Sequence, residues 1–159
     1  MMIQFTETDF RPLEQFDLKW RWTHPRWKQL PETALSQIRP LITAKAQELS
    51  QQTDGYTDTY RLSEQLCEEV LRINAKGEVQ KVRDWLLGQV SDQRLSVIVS
   101  WEPGVAVFVR WGVFCDYWDA FCYPASDDVL VYPLSQEWVL FWHHEEFFSF
   151  GRRRTQSGT

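Results

Sequence analysis

"WGVFCDYWDAFCY", residues 111 to 123, is the stretch whose reading decides the fold. Aromatic content alone favours a strand. The period favours a helix, because Trp111, Phe114, Cys115, Trp118, Phe121 and Cys122 fall at offsets 0, 3, 4, 7, 10 and 11 while Asp116 and Asp119 share the other side. As a strand it would put the two acids on opposite faces and spoil both. A short amphipathic helix is therefore expected near 112–122, set among strands.

Working outward, β-branched and aromatic runs lie on both sides of that helix. "RLSVIVSW" and "VAVFVRW", joined by the turn signal "EPG", read as a hairpin. "VLVYP", "WVLFW" and "FFSFG" read as three more short strands, the first two separated by "LSQE" and the last two by "HHEE". Unbroken apolarity over 138–142 implies a strand covered on both faces.

Toward the N-terminus the pattern turns helical. In "PETALSQIRPLITAKAQELSQQ" apolar residues recur at three- and four-residue steps, and Pro40 inside the pattern predicts a kink or two short helices with Pro40 near the start of the second. "SEQLCEEVLRI" carries Leu66, Val70 and Ile73 as a helical stripe behind Ser63 as N-cap. "GEVQKVRDWLLG" repeats the pattern, with Val79, Val82 and Leu86 inward and Gly88 as the stop. Residues 1–31 read as a largely irregular leading segment, in which Trp20 and Trp22 flank Arg21 as on a short strand. The expected fold class is α+β: N-terminal helices packed on an antiparallel sheet of about five strands. Residues 1–151 are expected to form one globular domain, with 152–159 a flexible tail.

Composition narrows the function. There are 22 acidic and 17 basic residues, for a net charge of -5. Residues 97–150 hold Arg110 alone against eight acids, including Asp127, Asp128, Glu145 and Glu146. Such a chain is poorly suited to neutralising phosphates, so nucleic acid is not the expected partner; an acidic face steers a basic protein instead. The interleaved tryptophans and cations of "LKWRWTHPRW" are read as core anchors with solvated charges rather than as a base-stacking platform. The three cysteines form no CxxC pair, there is no signal-like apolar region and no run approaches a membrane span of about 20 residues, so a cytoplasmic protein without membrane association is expected.

Candidate chemistry gathers in two polar stretches. His143, His144, Glu145 and Glu146 form the expected hairpin loop, and Asp127 with Asp128 the turn before the preceding strand. Neighbours in an extended chain point to opposite faces, so His143 and His144 ligate one metal only if the chain bends between them. The helical pair of histidines four residues apart is missing, as are a nucleophile elbow and a glycine-rich phosphate loop. No cofactor, metal or catalytic residue is assigned. If the two loops meet, Asp127, Asp128, His143, Glu145 and Glu146 build an acidic rim for a basic protein partner. One alternative uses the same region, a metal-dependent hydrolase or nuclease acting through these acids and histidines; another is a small-ligand pocket lined by Trp111, Trp118, Trp138 and Trp142.

Residues 111–151, with their aromatic spacing, the turn "PASDD" and a final aromatic strand, resemble the C-terminal part of small uncharacterised bacterial domains and of SMI1/KNR4-like immunity proteins. The likeness covers about 40 residues. In that family an α+β domain binds and neutralises a toxin, so the resemblance implies a protein-binding role. It supplies no catalytic residue.

Overall fold

The computed structural model describes residues 2–58 and 60–155. Its centre is a seven-stranded antiparallel sheet in the order β1-β4-β3-β5-β6-β7-β2. The five expected strands are β3 (Ser96–Glu102), β4 (Val105–Arg110), β5 (Val129–Pro133), β6 (Trp138–His143) and β7 (Phe147–Arg153). Two more come from the N-terminal half and close the edges: β1 (Arg39–Pro40) beside β4, and β2 (Cys67–Asn74) beside β7. The fold is α+β, with seven strands rather than about five.

The residue before a proline is held extended. Arg39 accordingly pairs opposite Phe108 and Pro40 opposite Val107, and the expected kinked helix becomes α2 (Glu32–Leu35) and α3 (Thr43–Thr53) on either side of β1. Pro40 thus lies in the bridge, not at the start of the second helix.

β2 replaces the helix expected over 63–73. Its register shifts between Glu68 and Leu71, with Glu69 at a left-handed φ of 53°. A bulge of this kind breaks the two-residue alternation that would mark a strand, leaving the three- and four-residue spacing as the only visible period. In the leading segment, Trp20 and Trp22 belong to a helical turn, α1 (Trp20–Thr23), and not to a strand. Trp22 is fully buried and stacks on Phe16 at 5.9 Å, while Trp20 packs near the surface against Trp27.

α4 (Val79–Gln89) buries Val82 and Leu86 as expected, but Val79 is exposed and the helix continues one residue past Gly88. The deciding stretch is helical, divided into α5 (Trp111–Asp116) and α6 (Trp118–Phe121) at Tyr117, whose φ is -126°. The helical reading holds, and its apolar side lies in the core.

Alternation along the strands separates two cores. Val97, Val99, Val107, Val109, Leu140 and Phe148 pack with residues of α1, α2, α4, α5 and α6. Ile98, Ala106, Tyr132, Val139 and Phe141 pack with Ala46 and Leu49 of α3 and with Ile3, Leu41 and Tyr56. The sheet is therefore covered on both faces, and β6 is buried at every position, as its unbroken apolarity predicts.

The frayed tail expected from 152 does not hold for its first residues. Arg152 and Arg153 belong to β7, and Arg154 N–H donates to the Leu66 carbonyl. Residues 156–159 lie outside the described residues. No helix among the described residues is long and apolar enough to cross a membrane.

Candidate functional site

Antiparallel pairing brings the end of β3, the start of β5, the end of β6 and the start of β7 to one end of the sheet: Ser100 faces Leu130, Val129 faces Trp142, and His143 faces Phe147. The loops 124–128 and 143–146 meet there. Ala125 N–H donates to the His144 carbonyl at 2.9 Å, and His144 N–H donates to Asp128 Oδ1 at 3.0 Å. Ala75 N–H binds the Glu146 carbonyl from the far side at 2.8 Å. Glu146 and Ala125 both hold φ at 69°, which turns each loop sharply. The two loops form one hydrogen-bonded ridge.

Asp127 does not belong to its surface. Its carboxylate is buried and accepts a two-pronged ion pair from Arg21, with Nη2 to Oδ1 at 3.0 Å. Tyr123 N–H donates to Oδ2 at 2.9 Å, and Arg21 Nη1 also donates to the Phe121 carbonyl at 3.1 Å. The guanidinium lies 4.6 Å from the centre of the Tyr123 ring. Asp127 therefore fastens the leading segment to the loop after α6 and is unavailable to a partner, which corrects its expected place on the rim.

Asp128 stays outside, half exposed, with Oδ1 2.9 Å from His144 Nδ1. A carboxylate only accepts, so His144 Nδ1 carries the proton. Glu145 is 64% exposed. Among the described residues neither Asp128, Glu145 nor Glu146 has a lysine or arginine within 4.0 Å.

His143 is fully buried although it ends β6 at the ridge, so it presents no surface to a protein partner, which corrects its expected place on the rim. Its ring stacks on His144 at 4.1 Å and on Phe147 at 4.8 Å, and Tyr60 covers it at 5.3 Å. The Tyr60 loop is pinned by Asp58, whose Oδ1 accepts the Tyr60 and Arg61 amides at 3.0 Å each. Those hydrogen bonds, the Tyr60 amide first, hold the Asp58 carboxyl below its ordinary pKa. His143 Nδ1 accepts the Glu145 amide at 3.1 Å, which puts the neutral ring's proton on Nε2. That nitrogen has no hydrogen-bond partner among the described residues.

Beside the ridge runs an open groove of about 240 Å³, lined by Asp54, Thr57, Glu102, Asp128, Leu130 and Phe141 among others. It holds three carboxylates and no lysine or arginine. Asp54 and Glu102 were not among the expected site residues. Their signal was a position in turns, Asp54 before Gly55 and Glu102 before Pro103-Gly104, but only the fold brings these turns to Asp128.

The alternative tryptophan-lined pocket dissolves into the core. Trp111, Trp118, Trp138 and Trp142 are buried and packed on one another and on Phe114, Phe148 and Phe150, so they line no ligand pocket. Burial pushes the Cys115 and Cys122 thiols up, far from the thiolate a nucleophile requires. Ser126 Oγ has an acid, Asp127, as its side-chain neighbour at 3.4 Å, not a histidine.

No protein-family model matches the chain, and comparison with curated proteins and with solved structures finds no match.

Proposed function

We propose that the protein is a binding module that receives a basic segment of a partner protein at the ridge and its adjoining groove. The observation that carries this reading is the groove itself, where Asp54, Glu102 and Asp128 converge without a lysine or arginine in the lining. Glu145 and Glu146 extend the same sign of charge along the ridge. A concave, single-sign surface concentrates a cationic partner and fixes its orientation as it docks. The groove also offers Leu130 and Phe141 as an apolar floor for the stem of a lysine or arginine side chain. A toxin-neutralising immunity role, which the resemblance implies, is a special case of this reading, since the partner would then be a basic toxin.

The test uses two baits, the natural chain and one carrying Glu102→Lys, Asp128→Lys and Glu145→Lys, for capture from the native cell at low and high salt. A stoichiometric basic partner retained by the natural chain at low salt, released at high salt and missing from the altered bait is the expected outcome. Equal capture by both baits, or capture indifferent to salt, would sink the docking site proposed here.

A further inference from the structure

We propose that Asp128, His143 and His144 form a binding site for one divalent metal ion of the class that imidazole prefers, with zinc as its most suitable member. The inference does not depend on the docking reading, because it rests on the ligand geometry of the ridge alone.

Ligand-capable atoms of the three side chains lie within 4.8 Å of one another. A tetrahedral zinc with bonds of about 2.0–2.1 Å places its ligands roughly 3.3 Å apart. Closing on an ion therefore requires movements of about an ångström in side chains, with no change in the fold. Two imidazoles and one carboxylate suit zinc or nickel, whereas magnesium and calcium ask for an all-oxygen shell that this ridge lacks.

The sequence argument against a shared ion was that adjacent side chains in a strand diverge. The structure removes it: His143 is the last residue of β6 and His144 the first of the turn, so the chain bends between them and the rings stack with 29° between their planes. The placement of the two outer ligands also favours metal entry. Asp128 Oδ1 and His144 Nδ1 already stand 2.9 Å apart, near the spacing of two ligands on one zinc, so an ion enters between them as the His144 ring proton moves from Nδ1 to Nε2. Asp128 engages only Oδ1 in the hydrogen bonds described above, so Oδ2 is open to the same ion.

His143 is half satisfied at rest, with Nδ1 on the Glu145 amide and Nε2 unpartnered. Binding through Nε2 moves the ring proton to Nδ1, and no proton leaves the residue. Nδ1, which at rest accepts the Glu145 amide, then donates to Glu145 Oε2, 3.9 Å away. A carboxylate behind a metal-bound imidazole is the usual device for orienting such a ligand. Glu145 is thus a positioning residue and Asp128 a ligand, although both belong to the same acidic ridge.

The experiment titrates full-length protein, prepared without a polyhistidine tag, with zinc, nickel and magnesium chlorides in a calorimeter, and follows the melting temperature with and without zinc. Zinc and nickel are expected to bind at one ion per chain and to raise the melting temperature, with magnesium giving no saturable heat. Both His144→Ala and Asp128→Asn change exposed side chains and should weaken zinc by about tenfold or more. Glu145→Gln should weaken it less. His24→Ala removes the remaining histidine, on α1's far end, and should change nothing. Absence of saturable zinc binding up to ~100 μM, which sets affinity weaker than about 5.5 kcal/mol, overturns the proposal. So does zinc binding that survives the double His144→Ala, Asp128→Asn change, or that is lost in the His24→Ala chain. Circular dichroism on every variant separates lost ligation from lost fold.

Discussion

At Asp127 and Asp128 two adjacent carboxylates divide between interior and surface, and the division follows from what each can reach. Asp127 meets the guanidinium of Arg21, 106 positions earlier, with both groups almost wholly buried. Asp128 meets the half-exposed ring of His144. Losing the first partner strands a charge in the core, whereas losing the second returns one to water. Asp127→Ala should therefore lower unfolding stability by about 3–5 kcal/mol, and Asp128→Ala by no more than about 1 kcal/mol, as read from urea denaturation. Equal losses at the two sites would mean that the buried pair does not anchor the leading segment. The residue types of the site were legible in the sequence, since paired acids and paired histidines stood out against a cation-poor half. Which acid would turn inward was not legible, because its partner lies in a segment whose alternating Trp-Arg-Trp suggests a strand. As a helical turn, α1 instead sends Trp22 into the core and Arg21 to Asp127.

The elements whose partners are close in sequence were readable, and those whose partners are distant were not. The hairpin β3–β4, the strands β5 to β7 and the helical stretch at 111–122 follow from period and turn chemistry. β2 does not, because pairing with β7 across 77 residues at Arg72 and Ser149 overrides a spacing that looks helical. Two glycines test this difference. Gly151 on β7 lies beneath β2, and a methyl there would stand 3.0 Å from Leu62 Cδ1 and 3.1 Å from Cys67 Cβ. Gly88 in α4 has nothing within 4 Å of the same position. Gly151→Ala should cost about 1–3 kcal/mol through forced movement of the β2 backbone. Gly88→Ala should gain up to about 1 kcal/mol, the ordinary benefit of alanine over glycine in a helix. Chemical denaturation of the two variants should move in opposite directions; a neutral Gly151→Ala would show that β2 is held loosely.

Seen whole, the molecule places its ridge on the last turns of its best-protected strands. β6 is buried throughout and flanked on both sides by paired neighbours, so the amides of residues 139–142 should exchange with solvent only through global unfolding. Those of β1 and the bulged β2 should open earlier, by local fraying. Hydrogen exchange resolved by residue would show this order, and faster exchange in β6 than in β2 would contradict it. The arrangement of edges has a consequence for the birth of the chain. Every inner strand comes from residues 96–153, while both edge strands come from residues 39–74. On a ribosome that extrudes the N-terminus first, β1 and β2 emerge before any strand they will pair with. They must wait, unpaired, for the remainder of translation. Their makeup suits that interval: β1 is two residues long with a proline, and β2 carries two glutamates and a bulge, features that resist pairing with a stranger. What delays recognition of β2 in the sequence is thus also what keeps the nascent chain from zipping onto its neighbours before its own sheet exists.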